Sequence, residues 1–406
     1  MEAIPDTGTA LYLRSAIRRV RLYPLRLPLR RAFRHAAHTR READPVIVEV
    51  ELADTTCGYG ETLPRAYVTG ETVETLVRAI REELLDRLVP MRPARLPDAL
   101  EQIAALPERD RAGRIMTAAR AGIELALLDA YSRYFQKPLS EAVGWFGLAS
   151  FGPPGSLGKV RYSGVLAGDD VGRLGRSLRK MRWFGLRDFK LKVGYPDDPE
   201  RIQCVRRVLG RSLNRTTSLR LDANAAWTVE RAIEVLAPLH NVPLRAVEQP
   251  FPRGDHEAIL ALKRAVDVTV MHDESLVTRD DAERLIDRGI ADGFNIRLSK
   301  NGGFLPSLQL AHLARRHGAI VQLGCMVGET GILSAVGRRF LENVPGITLA
   351  EGSYGRFLLR RDVTRPAVRF GYGGWARPLP EPGWGVSVDT DALRQYARPG
   401  IIELGL

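Results

Sequence analysis

Lysine is nearly missing from this chain: of 60 basic residues only seven are lysine, against 53 arginines. The two side chains are equivalent as surface charge, but only the lysine ammonium gives up its proton at accessible pH. Two of the seven stand one residue apart in DFKLKVG (188–194), a placement that points to chemistry. Cysteine is also sparse. Cys57, Cys204 and Cys325 have no zinc-like spacing and cannot build a disulfide framework, which fits a reducing, cytoplasmic setting. No run of about 18 apolar residues occurs and the first residues carry no apolar signal-like segment, so neither a membrane span nor export is expected. The net charge of +12 would permit a nucleic-acid partner, yet 48 acidic residues are interspersed with the arginines. No zinc-finger, helix-turn-helix or RNA-binding signature appears, and none of these partners is expected.

What is present is 406 residues with 45% apolar content, enough for one large or two ordinary domains. RVRLYPLRLPL (19–29) and PVIVEVELA (45–53) alternate as strands and predict a hairpin. The intervening RRAFRHAAHTRREAD has no apolar period and reads as a long basic loop. Helical spacing comes next in ETLVRAIREELLDRLV (74–89) and in the strongly apolar TAARAGIELALLDAYSRYFQ (117–136). FGPPGSLG (151–158) is the sharpest punctuation and suggests a boundary between an α+β domain, 1–150, and a second, larger unit.

Beyond it, eight short apolar runs begin near residues 160, 188, 218, 245, 268, 293, 319 and 347, mostly with helix-length segments between. Strands at intervals of about 25 to 30 residues with amphipathic helices between them predict an α/β fold of the parallel barrel type over 151–360. The tail, 361–406, is rich in Gly, Pro and Trp, lacks this period, and is expected to pack back on the first domain.

Catalytic groups of such barrels sit at the C-terminal ends of strands. The polar residues there are Lys190 and Lys192, Asp222 with Asn224, Glu248, Asp273, Lys300, Glu329 and Glu351. Any one has an ordinary alternative: Asp222 or Asp273 could cap a helix, and Glu248 could be a buried ion-pair partner. Five successive strands ending in charge are harder to explain that way. Asp222, Glu248 and Asp273, on adjacent strands, form a hard-oxygen set without Cys or His that suits Mg²⁺ better than Zn²⁺. His272 points to the opposite face of its strand and reads as structural.

Lys190 and Lys192 share a strand face, roughly 6.6 Å apart from the strand rise. At an effective dielectric near 20 their ammoniums would repel by about 2.5 kcal/mol, nearly two pKa units, leaving one as a base near pH 8. Lys300 ends the sixth strand, across the mouth from Lys192. A substrate between them would present opposite faces to two lysines, one removing a proton and the other stabilising charge or returning a proton.

KLK (190–192), DAN (222–224), VEQP (247–250), HDES (272–275) and KNGG (300–303), with ALLDA (126–130) and GCMVGETG (324–331), resemble the enolase superfamily in the group around muconate lactonizing enzyme. The resemblance implies a (β/α)7β-type TIM barrel with an N-terminal α+β capping domain completed by the C-terminal tail. It also implies abstraction of a proton alpha to a carboxylate, through an enediolate whose oxygens meet Mg²⁺. By position, Asp222, Glu248 and Asp273 would hold the metal and Lys192 and Lys300 would be the acid/base pair. Lys190 would help hold substrate charge or tune Lys192, and Asn224, Glu329 and Glu351 would line the substrate site. The mandelate racemase branch is less similar, since the histidine it places on a late strand is absent from Leu323–Gly324–Cys325.

Substrate is left open among cycloisomerisation, racemisation or epimerisation, and dehydration of the o-succinylbenzoate synthase kind. Dipeptide epimerases carry Asp-x-Asp after the eighth strand, where this chain has Glu351, Gly352 and Ser353, closer to the E-x-x-G of muconate cycloisomerases. Arg30, Arg31, Arg34, His35, Arg40 and Arg41, with GETLPRAYVTGET (60–72), would form the lid, and a basic lid suits a second, distal carboxylate. A small carboxylate is the expected partner and a homo-oligomer the expected state. A catalytically retired barrel that binds an anion or serves in assembly would have lost ligands or lysines, and none is lost.

Overall fold

The computed structural model describes residues 14–34, 39–148, 151, 158–168, 170–213 and 215–405. The N-terminal strands alternate because one face of their sheet is covered. β1 (Ile17–Pro24) lies between β4 (Val46–Leu52) and the last strand of the chain, Ile402–Leu404, and β5 (Cys57–Thr62) completes the antiparallel sheet. Val20, Leu22, Val46, Val48 and Val50 are buried. The covering helix is Thr117–Phe135, and its Ala- and Gly-rich face lets the two backbones touch. A Cβ on Gly58 would fall 2.2 Å from the Ala130 nitrogen, and one on Gly60 2.2 Å from the Gly122 oxygen.

The basic connection between β1 and β4 is not a loop. It forms its own hairpin, β2 (Leu27–Arg34) with β3 (Thr39–Ala43), joined antiparallel. Only its first residues, Leu27 and Leu29, alternate, and they fall at the end of the 19–29 run; the Arg-rich remainder of β2 and β3 carries no apolar alternation to announce it. His35 and the side chains of Arg34 and Arg40 lie outside the described residues, whereas Arg30, Arg31 and Arg41 are exposed. The 74–89 segment is helical as expected, with a π-turn at Ile80–Leu84 between Val73–Ala79 and Leu85–Leu88.

After a two-residue strand β6 (Val160–Arg161), paired to Trp375–Ala376 of the tail, all eight apolar runs are strands of one parallel sheet in chain order. They are β7 (Gly164–Leu166), β8 (Asp188–Lys192), β9 (Ser218–Asp222), β10 (Leu244–Glu248), β11 (Val270–His272), β12 (Gly293–Ile296), β13 (Ile320–Leu323) and β14 (Leu349–Ala350). The sheet curls until its ends meet: Ser163 N donates to Ala350 O at 2.7 Å, and Tyr354 Oη donates to Ser163 O at 2.7 Å. The expected α/β barrel is thus observed, with an antiparallel α+β unit seated beside it.

The two units are joined by buried polar contacts. Glu61, on β5, accepts from Thr330 N and Thr330 Oγ1, each at 2.7 Å, and from Leu333 N at 2.7 Å. That carboxylate caps the first turn of barrel helix Gly331–Asn343. In the tail, the fully buried Trp384 donates its Nε1–H to Leu125 O at 3.1 Å and its backbone N–H to Asp129 Oδ1 at 2.9 Å.

Trp384→Ala should lower stability by about 3–5 kcal/mol through loss of this buried ring. Urea unfolding measures it, and an unchanged midpoint would show that the tail only lies against the helix.

Candidate active site

Because strand residues two apart share a face, the inward side chains of the barrel form stacked layers. Inside are Lys190 and Lys192 from β8, Arg220 and Asp222 from β9, Glu248 from β10 and Asn295 from β12. Gln322 comes from β13, and Asp273, Arg297 and Glu351 lie just past the ends of β11, β12 and β14. All but Lys192 are buried, and its side chain is only 13% exposed. The strand-end set anticipated from the sequence is therefore brought together, with Glu329 at its edge on a small cavity that Glu351 also lines.

Lys192 Nζ donates to Asp222 Oδ2 at 2.6 Å and to Asn224 Oδ1 at 2.7 Å. Asn224 reaches it from a left-handed backbone position, φ 45°, where Asn is better tolerated than most residues. On the other side of the carboxylates, Lys300 lies in the turn after β12. Its Nζ donates to Asp273 Oδ1 at 2.9 Å, to Asp273 O at 2.7 Å and to Asn295 O at 2.9 Å. Each lysine thus flanks one end of the Asp222–Glu248–Asp273 row.

Lys190 lies among three carboxylates. Its ammonium is 3.0 Å from Asp222, 3.3 Å from Glu248 and 2.7 Å from Glu351. Burial disfavours its charge, but Glu248, Glu351 and Asp222 outweigh burial and hold its pKa well above the ordinary lysine value. The mutual repulsion expected from the spacing of Lys190 and Lys192 is overridden by these three carboxylates, so Lys190 is not the neutral partner. Glu351 bridges Lys190 and Arg220, whose Nη2 donates to it at 2.6 Å, and also lines a small cavity. Glu329, in the loop after β13, lines a small cavity together with Glu351. It accepts from Met326 N at 2.6 Å, and burial pushes its pKa well up.

The electrostatics of the row reflect crowding. Burial pushes the Glu248 carboxyl up to about 8, with Asp222, Asp273 and Glu351 adding to it against Lys190. Asp222 and Asp273 are also fully buried, yet their cationic neighbours hold both below the ordinary carboxylate range. Those neighbours are Lys192 and Lys190 for Asp222, and Arg297 and Lys300 for Asp273. Glu248 accepts from Asn295 Nδ2 at 2.8 Å and Gln322 Nε2 at 2.9 Å. Arg297 pairs with Asp273 and lies 3.8 Å from Glu248. His272 faces outward, its Nε2 2.8 Å from Ile290 O, and burial pushes its pKa down to about 4.

Arg220, Arg297, Asn295 and Gln322 were not anticipated. The signal lay in the period of two: Arg220 precedes Asp222, and Asn295 precedes Arg297, by two residues. Gln249 was also passed over. Its Oε1 accepts from Asp273 N and Ser275 N at 3.0 and 3.1 Å and so sets the backbone that carries Asp273.

Three buried carboxylates in a row, one of them pushed up by burial and by its acidic neighbours, fit a hard divalent cation such as Mg²⁺. Their oxygens are spread onto cationic side chains. Among the described residues, the three-residue group whose ligating atoms all lie within 4.8 Å of one another is Glu49, Glu51 and Cys57 on the antiparallel sheet. There Arg21 and Tyr23 already engage Glu49, at 2.5 and 2.8 Å.

A family model described as "Enolase C-terminal domain-like" matches residues 173–392, and "Mandelate racemase / muconate lactonizing enzyme, N-terminal domain" matches 17–144. An N-succinyl-L-Arg/Lys racemase of Bacillus cereus is 26% identical over 93% of this chain and 96% of its own. Muconate cycloisomerase 1 of Rhodococcus opacus is 29% identical over 92% of this chain and 96% of its own. The solved dipeptide epimerase of Enterococcus faecalis V583, complexed with Mg and L-Leu-L-Tyr, superposes with a TM-score of 0.79. It is 27% identical and covers 92% of this chain and 99% of that one.

Glu351→Gln strips Lys190 and Arg220 of a shared buried partner and should cost about 3–5 kcal/mol in chemical denaturation. The double variant Arg220→Met/Glu351→Leu should recover part of that loss; a Glu351→Gln protein as stable as the parent would show the pair to be dispensable.

Proposed function

The chain belongs to the mandelate racemase/muconate lactonizing enzyme family of the enolase superfamily, and on that footing we propose that it racemises or epimerises an N-acylated amino acid. The observation that carries this reading is the placement of Lys192 and Lys300 at opposite ends of one carboxylate row. Proton transfer on a single carbon needs a group on each face, and this barrel supplies one at each end.

Asp222, Glu248 and Asp273 would hold Mg²⁺, which when bound supplies positive charge beside the substrate carboxylate as the α-proton leaves. Lys192, oriented by Asn224, takes or gives the proton on one face. Lys300, held over Asp273, does so on the other. Arg297 and Lys190 stay charged and keep the row from repelling an incoming carboxylate.

Substrate preference is argued from the eighth strand. Glu351 Oε1 is shared by Lys190 and Arg220, so the one carboxylate that follows the strand already faces two cations and is a poor receiver for a free ammonium. An amine masked by acylation is accommodated where a free dipeptide amine is not. N-succinylated Arg or Lys, the substrates named for the Bacillus cereus relative, bring a second carboxylate of the kind a basic lid would favour. A cycloisomerase acting on a muconate-like dicarboxylate is the second reading, favoured by the same absence of an ammonium partner. It needs only one of the two lysines as its proton-transfer group.

In D₂O with Mg²⁺, N-succinyl-D- and L-arginine should each exchange the α-proton, read by NMR. Lys192→Ala and Lys300→Ala should each slow racemisation at least about 10²-fold, and each should abolish exchange from a different enantiomer. Loss confined to one lysine variant would favour the cycloisomerase reading. EDTA should abolish exchange and added Mg²⁺ should restore it.

A further inference from the structure

Lys300 is gripped from outside the barrel. The turn that carries it, 297–303, joins β12 to helix Phe304–Arg316 and touches helix Thr117–Phe135 of the antiparallel unit through a pair of buried ions. Arg120, 2% exposed, donates Nη1–H to Gly302 O at 2.5 Å and Nε–H to Leu106 O at 2.9 Å. One turn further along, Glu124 is fully buried. It accepts from Phe304 N at 2.9 Å and Leu305 N at 2.7 Å, capping the helix after the turn. Gly303 makes this approach possible: its φ is +116°, and a Cβ there would fall 2.2 Å from the Glu124 carboxylate. On the near side of the lysine, Ser299 Oγ accepts from Leu63 N at 2.9 Å and lies 3.0 Å from Thr62 Oγ1, both just at the end of β5.

We propose that Arg120 and Glu124 are positioning residues for Lys300, setting the height of its turn so that its ammonium meets one face of the substrate carbon. Among the described residues Lys192 makes no such link. It ends β8 and is oriented within the barrel by Asp222 and Asn224. Loss of the Arg120–Glu124 grip therefore acts on one face of the reaction and spares the other. Glu124→Gln replaces an acceptor with an amide N–H aimed at a backbone N–H, and Arg120→Lys cannot reach Gly302 O and Leu106 O together. A displacement of about 1 Å at the reacting group costs about 10²-fold.

The inference rests on the two-lysine reading, and its test separates the two. α-Proton exchange in D₂O is measured for N-succinyl-D- and N-succinyl-L-arginine separately, with Lys192→Ala and Lys300→Ala assigning an enantiomer to each lysine. Glu124→Gln, and independently Arg120→Lys should the first fail to fold, should lower exchange at least about tenfold more for the Lys300 enantiomer than for the Lys192 enantiomer. Equal loss on both faces, or none, overturns the positioning role. If the lysine variants show no face preference, the two-lysine reading itself fails. Amide hydrogen exchange at Lys300 and Asn301 then decides: protection lost there alone in Glu124→Gln supports positioning, and protection unchanged overturns it.

Discussion

Charge burial is the constraint on which this barrel turns. Asp222, Glu248, Asp273 and Glu351 are enclosed with Lys190, Lys192, Arg220, Arg297 and Lys300, in surroundings where an unpaired ion costs several kcal/mol. No member can be changed without leaving a neighbour uncompensated. Ion pairs of this kind contribute little net stability, since desolvation offsets their attraction. The stability comes from the apolar layers around them, from Phe189, Leu191, Leu219, Leu221, Val247 and Phe294 among others. The polar interior is retained for its chemistry, and the rest of the fold has to tolerate it.

That division of labour explains what could be read from the sequence. The alternation of Phe189, Leu191 and Val193 with Lys190 and Lys192 shows both a strand and its inward charges, because burial and side-chain direction share the period of two. The barrel and its charged strand ends were legible for this reason. The β2–β3 hairpin was not, because beyond Leu27 and Leu29 its strands carry no apolar alternation. Which carboxylate would bind which lysine was equally hidden: Glu351 sits 131 residues from Arg220 and 161 from Lys190, and only the closed ring brings them together. A repulsion considered for Lys190 and Lys192 alone failed because three opposite charges from other strands stand closer.

The antiparallel unit is more than a lid. β5 packs backbone to backbone on helix Thr117–Phe135, and that helix in turn holds the Lys300 turn. β5 also sends Glu61 to the helix after β13. Arg65, a little further along the same segment, pairs with Asp44 at 2.8 Å at the foot of the β2–β3 hairpin and lies 3.5 Å from Val327 O. Through these contacts the antiparallel unit touches the segments that follow the sixth and seventh barrel strands, and the hairpin, at once. The segments expected to contact a substrate are thereby tied to the segments that carry the acid/base residue.

Such a connection bears on how one barrel serves several reactions. The carboxylate row and Lys192 are fixed within the barrel wall by partners three strands away or nearer. Lys300 is fixed in part by a different layer of the molecule, through backbone carbonyl and N–H groups that side-chain substitutions in the barrel cannot remove. On the proposed reading, a change in the antiparallel unit can therefore shift Lys300 relative to Lys192 without disturbing the carboxylate wall. Racemisation needs both groups in register and cycloisomerisation needs only one, so the packing of helix Thr117–Phe135 against Gly302 and Gly303 is a place where the balance between the two could be set. Gly303 limits that freedom from the other side, because no side chain fits between its Cα and Glu124.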